Sequence, residues 1–127
     1  MICTRLDEKN NVLLQIARDD VQLSEIIAAI DRRIYHPKYD PHRPVLWDFS
    51  RAGWDSAHQE YNFVTEEIDA WVKQRRPLGP VAIVFSSATE QALFHTFYGS
   101  LEWVNLQTFT EYDAALGWLT AQPAPNP

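Results

Sequence analysis

One cysteine in 127 residues, Cys3, excludes an internal disulfide framework and a cysteine-built zinc site. Glycine is scarce as well. The four glycines form neither G-x-G-x-x-G nor G-x-x-x-x-G-K-[ST], so no glycine-rich phosphate loop is written here. No apolar run approaches the roughly 20 residues of a membrane-spanning helix. The polar stretch Thr4-Arg5-Leu6-Asp7-Glu8-Lys9 occupies the place of a signal-peptide core, so a cytoplasmic protein without a membrane span is expected. Basic residues are in deficit, 11 Lys and Arg against 17 Asp and Glu, for a formal net charge of −6. Affinity for nucleic acid rests on clustered Lys and Arg, so nucleic acid is not expected as a partner. What the chain does have is apolar bulk: 46% hydrophobic residues and 13% aromatic ones suit a core with large side chains. A chain of this length buries roughly two thirds of its unfolded surface in one core. One domain over 1–122 is expected, with a disordered, proline-rich tail at 123–127.

The hydropathy period then places the elements. Ile2, Thr4 and Leu6 alternate, the polar 7–11 segment turns, and Val12, Leu14 and Ile16 alternate again, which predicts an antiparallel hairpin. After Asp19 and Asp20, either able to cap, Leu23, Ile26, Ile27, Ile30 and Ile34 form one helical stripe ending near Arg32 and Arg33. Three prolines make 36–44 a loop. Val45 to Phe49 and Val81 to Phe85 are apolar on both faces, as central strands covered by helices are. Between them a helix is expected from about Ala57 to Arg75. Ser87 and Glu90 can form a capping box for a helix through Leu93, Phe94 and Phe97 that ends at Gly99. Val104 to Phe109 reads as the last strand, and Thr110 as the cap of a final helix buried by Leu116 and Leu119. The order β-β-α-β-α-β-α-β-α predicts an α/β fold. Its mostly parallel five-stranded sheet would have right-handed crossovers and an antiparallel first strand at one edge.

Three stretches carry a family likeness: Val45-Leu46-Trp47-Asp48-Phe49-Ser50-Arg51-Ala52-Gly53-Trp54, Val81 to Phe85, and Phe109 to Leu119. Together they resemble the SpoIIAA-like family of small STAS-type domains, over most of the chain. The resemblance implies strand–helix units wound as a short superhelix. It also implies a non-enzymatic, bacterial-type regulatory or protein-interaction module akin to the anti-sigma-factor antagonists. Those proteins carry a phosphorylatable serine in Asp-Ser-(Ser/Thr)-Gly at a helix start. Asp55-Ser56 stands at the matching place, but continues as Ala57-His58 without the second hydroxyl or the glycine. The STAS-like fold is also similar to the lipid-carrying Sec14 or CRAL-TRIO domains, so a carrier of a small apolar or amphiphilic ligand is the alternative.

Ligands of open α/β sheets sit beyond the carboxyl ends of the strands, which directs attention to Arg18, Asp19, 49–56, Ser86 and Ser87. There Asp48, Ser50, Arg51, Asp55, Ser56, Ser86 and Ser87 form a candidate regulatory or anion-binding set, because helix N-termini, hydroxyls and a guanidinium suit phosphate or carboxylate. The competing reading makes Ser56 and Ser87 plain helix caps and Asp48 an acceptor for nearby backbone amides. No nucleophile elbow or paired-carboxylate spacing accompanies them, so no catalytic residue is assigned. His36, Asp40 and His42 fall short of a four-ligand set, so neither a metal nor another cofactor is expected. Trp54, Phe97, Tyr98 and Trp103 are candidates for an apolar ligand site or a homodimer face, against core packing as the alternative use of the aromatic excess.

Overall fold

A computed structural model describes residues 1–53, 79–98 and 105–122. Its elements are β1 (Ile2–Asp7), β2 (Val12–Asp20), α1 (Leu23–Ile34), β3 (Val45–Gly53), β4 (Val81–Phe85), α2 (Ala88–Tyr98), β5 (Leu106–Phe109) and α3 (Tyr112–Ala121). The expected helix at 57–75, Gly99 and the 123–127 tail lie outside the described residues. The five strands stand in sequential order, β1-β2-β3-β4-β5, with β1 antiparallel to β2 and every other pair parallel. This is the α/β class and the edge strand expected from the period. Among the described residues no helix is long and apolar enough to cross a membrane.

The hairpin closes as its residues dictate. Asn11 takes the left-handed conformation, φ 53°, which asparagine tolerates, and Asn10 donates from its backbone N to Asp7 Oδ1 (3.2 Å) and from its Nδ2 to Asp7 Oδ2 (2.8 Å). Alternation then divides the sheet into two faces. On one, Ala17, Val45, Trp47, Phe49, Val81, Ile83 and Phe85 meet Val21, Ala29 of α1 and Phe94 of α2. Trp47 and Phe49 lie parallel at 5.9 Å, Phe49 and Phe85 at 6.3 Å, and Phe85 meets Phe94 at 5.3 Å. Much of the aromatic excess is therefore spent on this core. On the other face Val12, Leu14, Leu46, Ala82 and Val84 are covered by Ala115 and Leu119 of α3, with Trp118 tilted against Phe109 at 5.9 Å.

Several boundaries differ from the sequence reading. β2 runs through Asp19 and Asp20, so neither caps α1. Asp19 takes the left-handed conformation, φ 62°, within β2, and the N-cap is Gln22, whose backbone N donates to Glu25 Oε1 at 3.3 Å. β3 extends to Gly53 because its pairing with β2 resumes beyond an irregularity at Ile16/Arg18, as Arg18–Arg51, Asp19–Ala52 and Asp20–Gly53. The final helix has Glu111, not Thr110, at its N-cap, and that position makes no side-chain capping bond. Leu93 faces solvent at 40% exposure, while Phe94 is buried in the core.

The 35–44 loop is tied down at both ends. Leu13 N donates to Pro44 O (2.9 Å), Val45 N to Pro80 O (3.0 Å) and Gly79 N to Pro41 O (3.0 Å). Gly79 lies so close that a Cβ there would stand 2.3 Å from His42 O. Only glycine allows this approach, which fixes the loop against the lower end of the sheet.

Candidate functional site

At the carboxyl ends of the strands Asp48, Ser86 and Ser87 make local hydrogen bonds. Asp48 is half-buried on β3, and its Oδ1 accepts from Ser50 N at 2.9 Å. Ser50 and Arg51 are exposed strand residues, not loop residues. Ser87 Oγ accepts from Glu90 N at 3.2 Å, so Ser87 caps α2. Glu90 turns its Oε2 to Ser86, whose Oγ donates to it at 2.6 Å. On the far side of α2, Gln91 Nε2 donates to Thr108 Oγ1 (2.8 Å), which also bonds His95 Nε2 (2.7 Å). Asp55, Ser56, Trp54 and Trp103 lie outside the described residues. Of Phe97 and Tyr98 only the helical backbone of α2 is described.

A different place stands open. Between β1, the lower half of α1 and the 35–44 loop lies a cleft of about 620 Å³. Its floor is Ile2, Thr4, Leu6, Leu13 and Val45. Its walls are Arg32 and Arg33 from α1, His36, Lys38, Tyr39, Asp40, Pro41 and Arg43 from the loop, with Cys3 and Arg5 at the rim. Five of the eleven Lys and Arg residues of an acidic chain, Arg5, Arg32, Arg33, Lys38 and Arg43, thus line one cleft, against one carboxylate, Asp40. Asp40 Oδ1 already accepts from His42 N (2.9 Å), and His36 Nδ1 accepts from Lys38 N (3.0 Å). Both contacts shape the loop.

Arg33 is the least solvated of the cations. It is half-buried, and its Nε is withdrawn from water without a hydrogen-bond partner among the described residues. Burial pushes this guanidinium below the ordinary arginine value, with Tyr39 beside it acting in the opposite sense. Arg43 Nε donates to the neutral Asn11 Oδ1 at 3.2 Å, so its charge also lacks a carboxylate there. Beneath Thr4 the fully buried Gln15 accepts the Thr4 hydroxyl on its Oε1, while its Nε2 has no partner among the described residues. Like charges in a partly desolvated pocket repel one another and are costly to desolvate, a cost that an anion in the cleft relieves. The cleft gathers positive charge over a largely apolar floor.

The sequence reading missed this cleft because it looked to the strand ends. A signal was present: 32–43 holds Arg32, Arg33, Lys38 and Arg43 with Asp40 as its one acid, inside a chain with an acidic excess. Among the described residues no three His, Cys, Asp or Glu side chains converge as metal ligands. Comparison with protein-family models and with curated proteins finds no match to the chain.

Proposed function

We propose that this protein is a non-enzymatic interaction module that reads an acidic partner through the cleft between β1 and α1. The observation that carries the reading is the concentration of five cations, one of them a partly desolvated guanidinium, around an apolar floor in a chain of net charge −6. An acidic protein repels most acidic partners, so a local basic cleft gives it selectivity and not general stickiness. The sequential strand order with an antiparallel first strand supports a STAS-like assignment of the fold and with it the regulatory class. The strand-end groups support the non-enzymatic reading: Asp48 accepts from Ser50 N, Ser87 caps α2 and Ser86 donates to the Glu90 carboxylate.

A second reading, a carrier of a small amphiphilic ligand, is favoured by the cleft volume, which lies inside the range of small-molecule sites. The charge reading is tested by fluorescence anisotropy with a labelled peptide in which glutamates alternate with valines. The Arg32→Gln/Lys38→Gln protein, changed at two exposed cations, is expected to bind it at least tenfold more weakly than the natural chain. Both affinities are expected to converge as salt is raised from roughly 0.05 to 0.15 M. Equal affinities at low salt would refute the acidic-partner reading.

A further inference from the structure

The cleft follows the edge of β1 that faces away from β2 as well as its faces. Five consecutive residues, Ile2 to Leu6, line it, and side chains on only one face of a strand would give every second residue. The backbone of that edge is available in a definite pattern. Met1 and Arg18 exchange both bonds, Arg18 N to Met1 O at 2.9 Å and the Met1 amino group to Arg18 O at 3.1 Å. In the antiparallel register Ile2–Ala17 to Asp7–Val12 the bonded pairs are therefore Cys3–Ile16, Arg5–Leu14 and Asp7–Val12. It follows that Ile2, Thr4 and Leu6 turn their N–H and C=O groups outward, into the cleft. Among the described residues β1 has β2 as its one strand neighbour.

Resting on the acidic-partner reading, we infer that the occupant is an extended acidic segment of a partner protein that pairs with β1 as a sixth strand. Six residues of β1 offer about 20 Å of edge, enough for a segment of similar length. Side chains of an added strand alternate between the two faces. Those on the α1 face stand over the floor of the cleft beneath Arg32, Arg33 and Lys38, and those on the other face pass Arg5. Acidic residues at every second position therefore meet the guanidiniums, and the unpartnered Arg33 Nε gains an acceptor. A second copy of the chain is a poor occupant. An added β1 would bring its own Arg5, and the basic loop behind it, against the same charges.

Residue-resolved hydrogen exchange on the full chain tests the inference, with the alternating glutamate–valine peptide as probe. The expected result is at least tenfold added protection of the Thr4 and Leu6 amides and little change at Cys3 and Arg5, whose amides are already bonded to β2. The same peptide N-methylated at alternate positions should lose binding, and Arg33→Met should weaken it at least tenfold. Leu6→Pro removes an outward donor without touching the β2 ladder and should also weaken binding; retained circular dichroism shows that the hairpin survives. Binding without protection at Thr4 and Leu6, or undiminished binding of the methylated peptide, overturns strand addition and leaves the basic cleft standing. Failure of the glutamate peptide to bind at all overturns both readings, as does equal binding of its glutamine counterpart. Protection of Thr4 and Leu6 that rises with protein concentration alone assigns the edge to self-pairing and overturns the acidic partner.

Discussion

The two ends of the sheet treat their polar groups in opposite ways. At the carboxyl ends of the strands, Asp48, Ser86 and Ser87 each have a local partner. Asp48 holds Ser50 N, Ser87 holds Glu90 N, and Ser86 holds Glu90. At the amino ends, beside β1, cations gather with one carboxylate among them, and Arg33 Nε has no partner among the described residues. Satisfied polar groups stabilise the fold that holds them; unsatisfied ones with a cleft in front of them are poised for something that is not part of the fold. Residue type alone does not separate the two cases. Whether the neighbours already answer the group does.

The largest effect expected is loss of the core that supports both ends of the sheet. Phe85, 1% exposed, joins Phe49 on β3 to Phe94 on α2, and Phe85→Ala should cost about 3 to 5 kcal/mol in a urea melt. A loss under about 1 kcal/mol would show that the aromatic row is not the shared support of both ends. Gly79→Ala comes next and acts on one end only. Its Cβ would stand 2.3 Å from His42 O, forcing the cleft wall to move at a cost of about 1 to 3 kcal/mol. Weaker binding of the glutamate peptide should accompany it, and an unmoved loop in a structure of the variant would contradict this.

Smaller changes sharpen the contrast. Ser87→Ala should lose about 1 kcal/mol, as removal of an N-cap does, with peptide affinity unchanged. Arg33→Met should leave stability unchanged or raise it by about 1 kcal/mol, because an apolar side chain replaces a half-buried one whose Nε has no partner among the described residues. A loss beyond about 1 kcal/mol would mean that Arg33 serves the fold. The smallest effect is alkaline. Burial, with Asp7 and Asp48 nearby, raises the Tyr112 hydroxyl above its ordinary value of 10.0. The folded chain therefore keeps a proton that the unfolded chain gives up, and stability falls as pH rises above about 10. Tyr112→Phe should flatten that fall, which a series of melts from pH 8 upward would show; an identical decline in both proteins would rule Tyr112 out as its source.

The fold was legible where period and covering agreed. Val45 to Phe49 and Val81 to Phe85, apolar on both faces, are adjacent parallel strands in register from Val45–Val81 to Phe49–Phe85. The hairpin was equally plain, because Asn10 and Asn11 are turn residues by their own chemistry. Boundaries were less so. Asp19 and Asp20 look like caps, yet β2 carries them into pairing with Ala52 and Gly53, and only the partner strand decides that. Gln15 shows the same limit, since a glutamine between Leu14 and Ile16 reads as an outward residue and is fully buried beside Thr4. The cleft was hidden for a related reason. Arg5 sits on β1 and Arg33 on α1, 28 positions apart, and only the packing of α1 over β1 brings them to one cavity. Asp55 and Ser56, the pair with the family resemblance, lie outside the described residues and enter neither side of the contrast.

Peptide affinity and unfolding free energy, measured side by side for Arg33→Met and Ser87→Ala, separate the two ends of the sheet. A binding end marked by cations without partners among the described residues predicts a crossed result. Arg33→Met should bind the glutamate peptide at least tenfold more weakly at undiminished stability, and Ser87→Ala should bind it fully with about 1 kcal/mol less stability. The reverse pattern, with Ser87→Ala losing the peptide and Arg33→Met losing the fold, would contradict it.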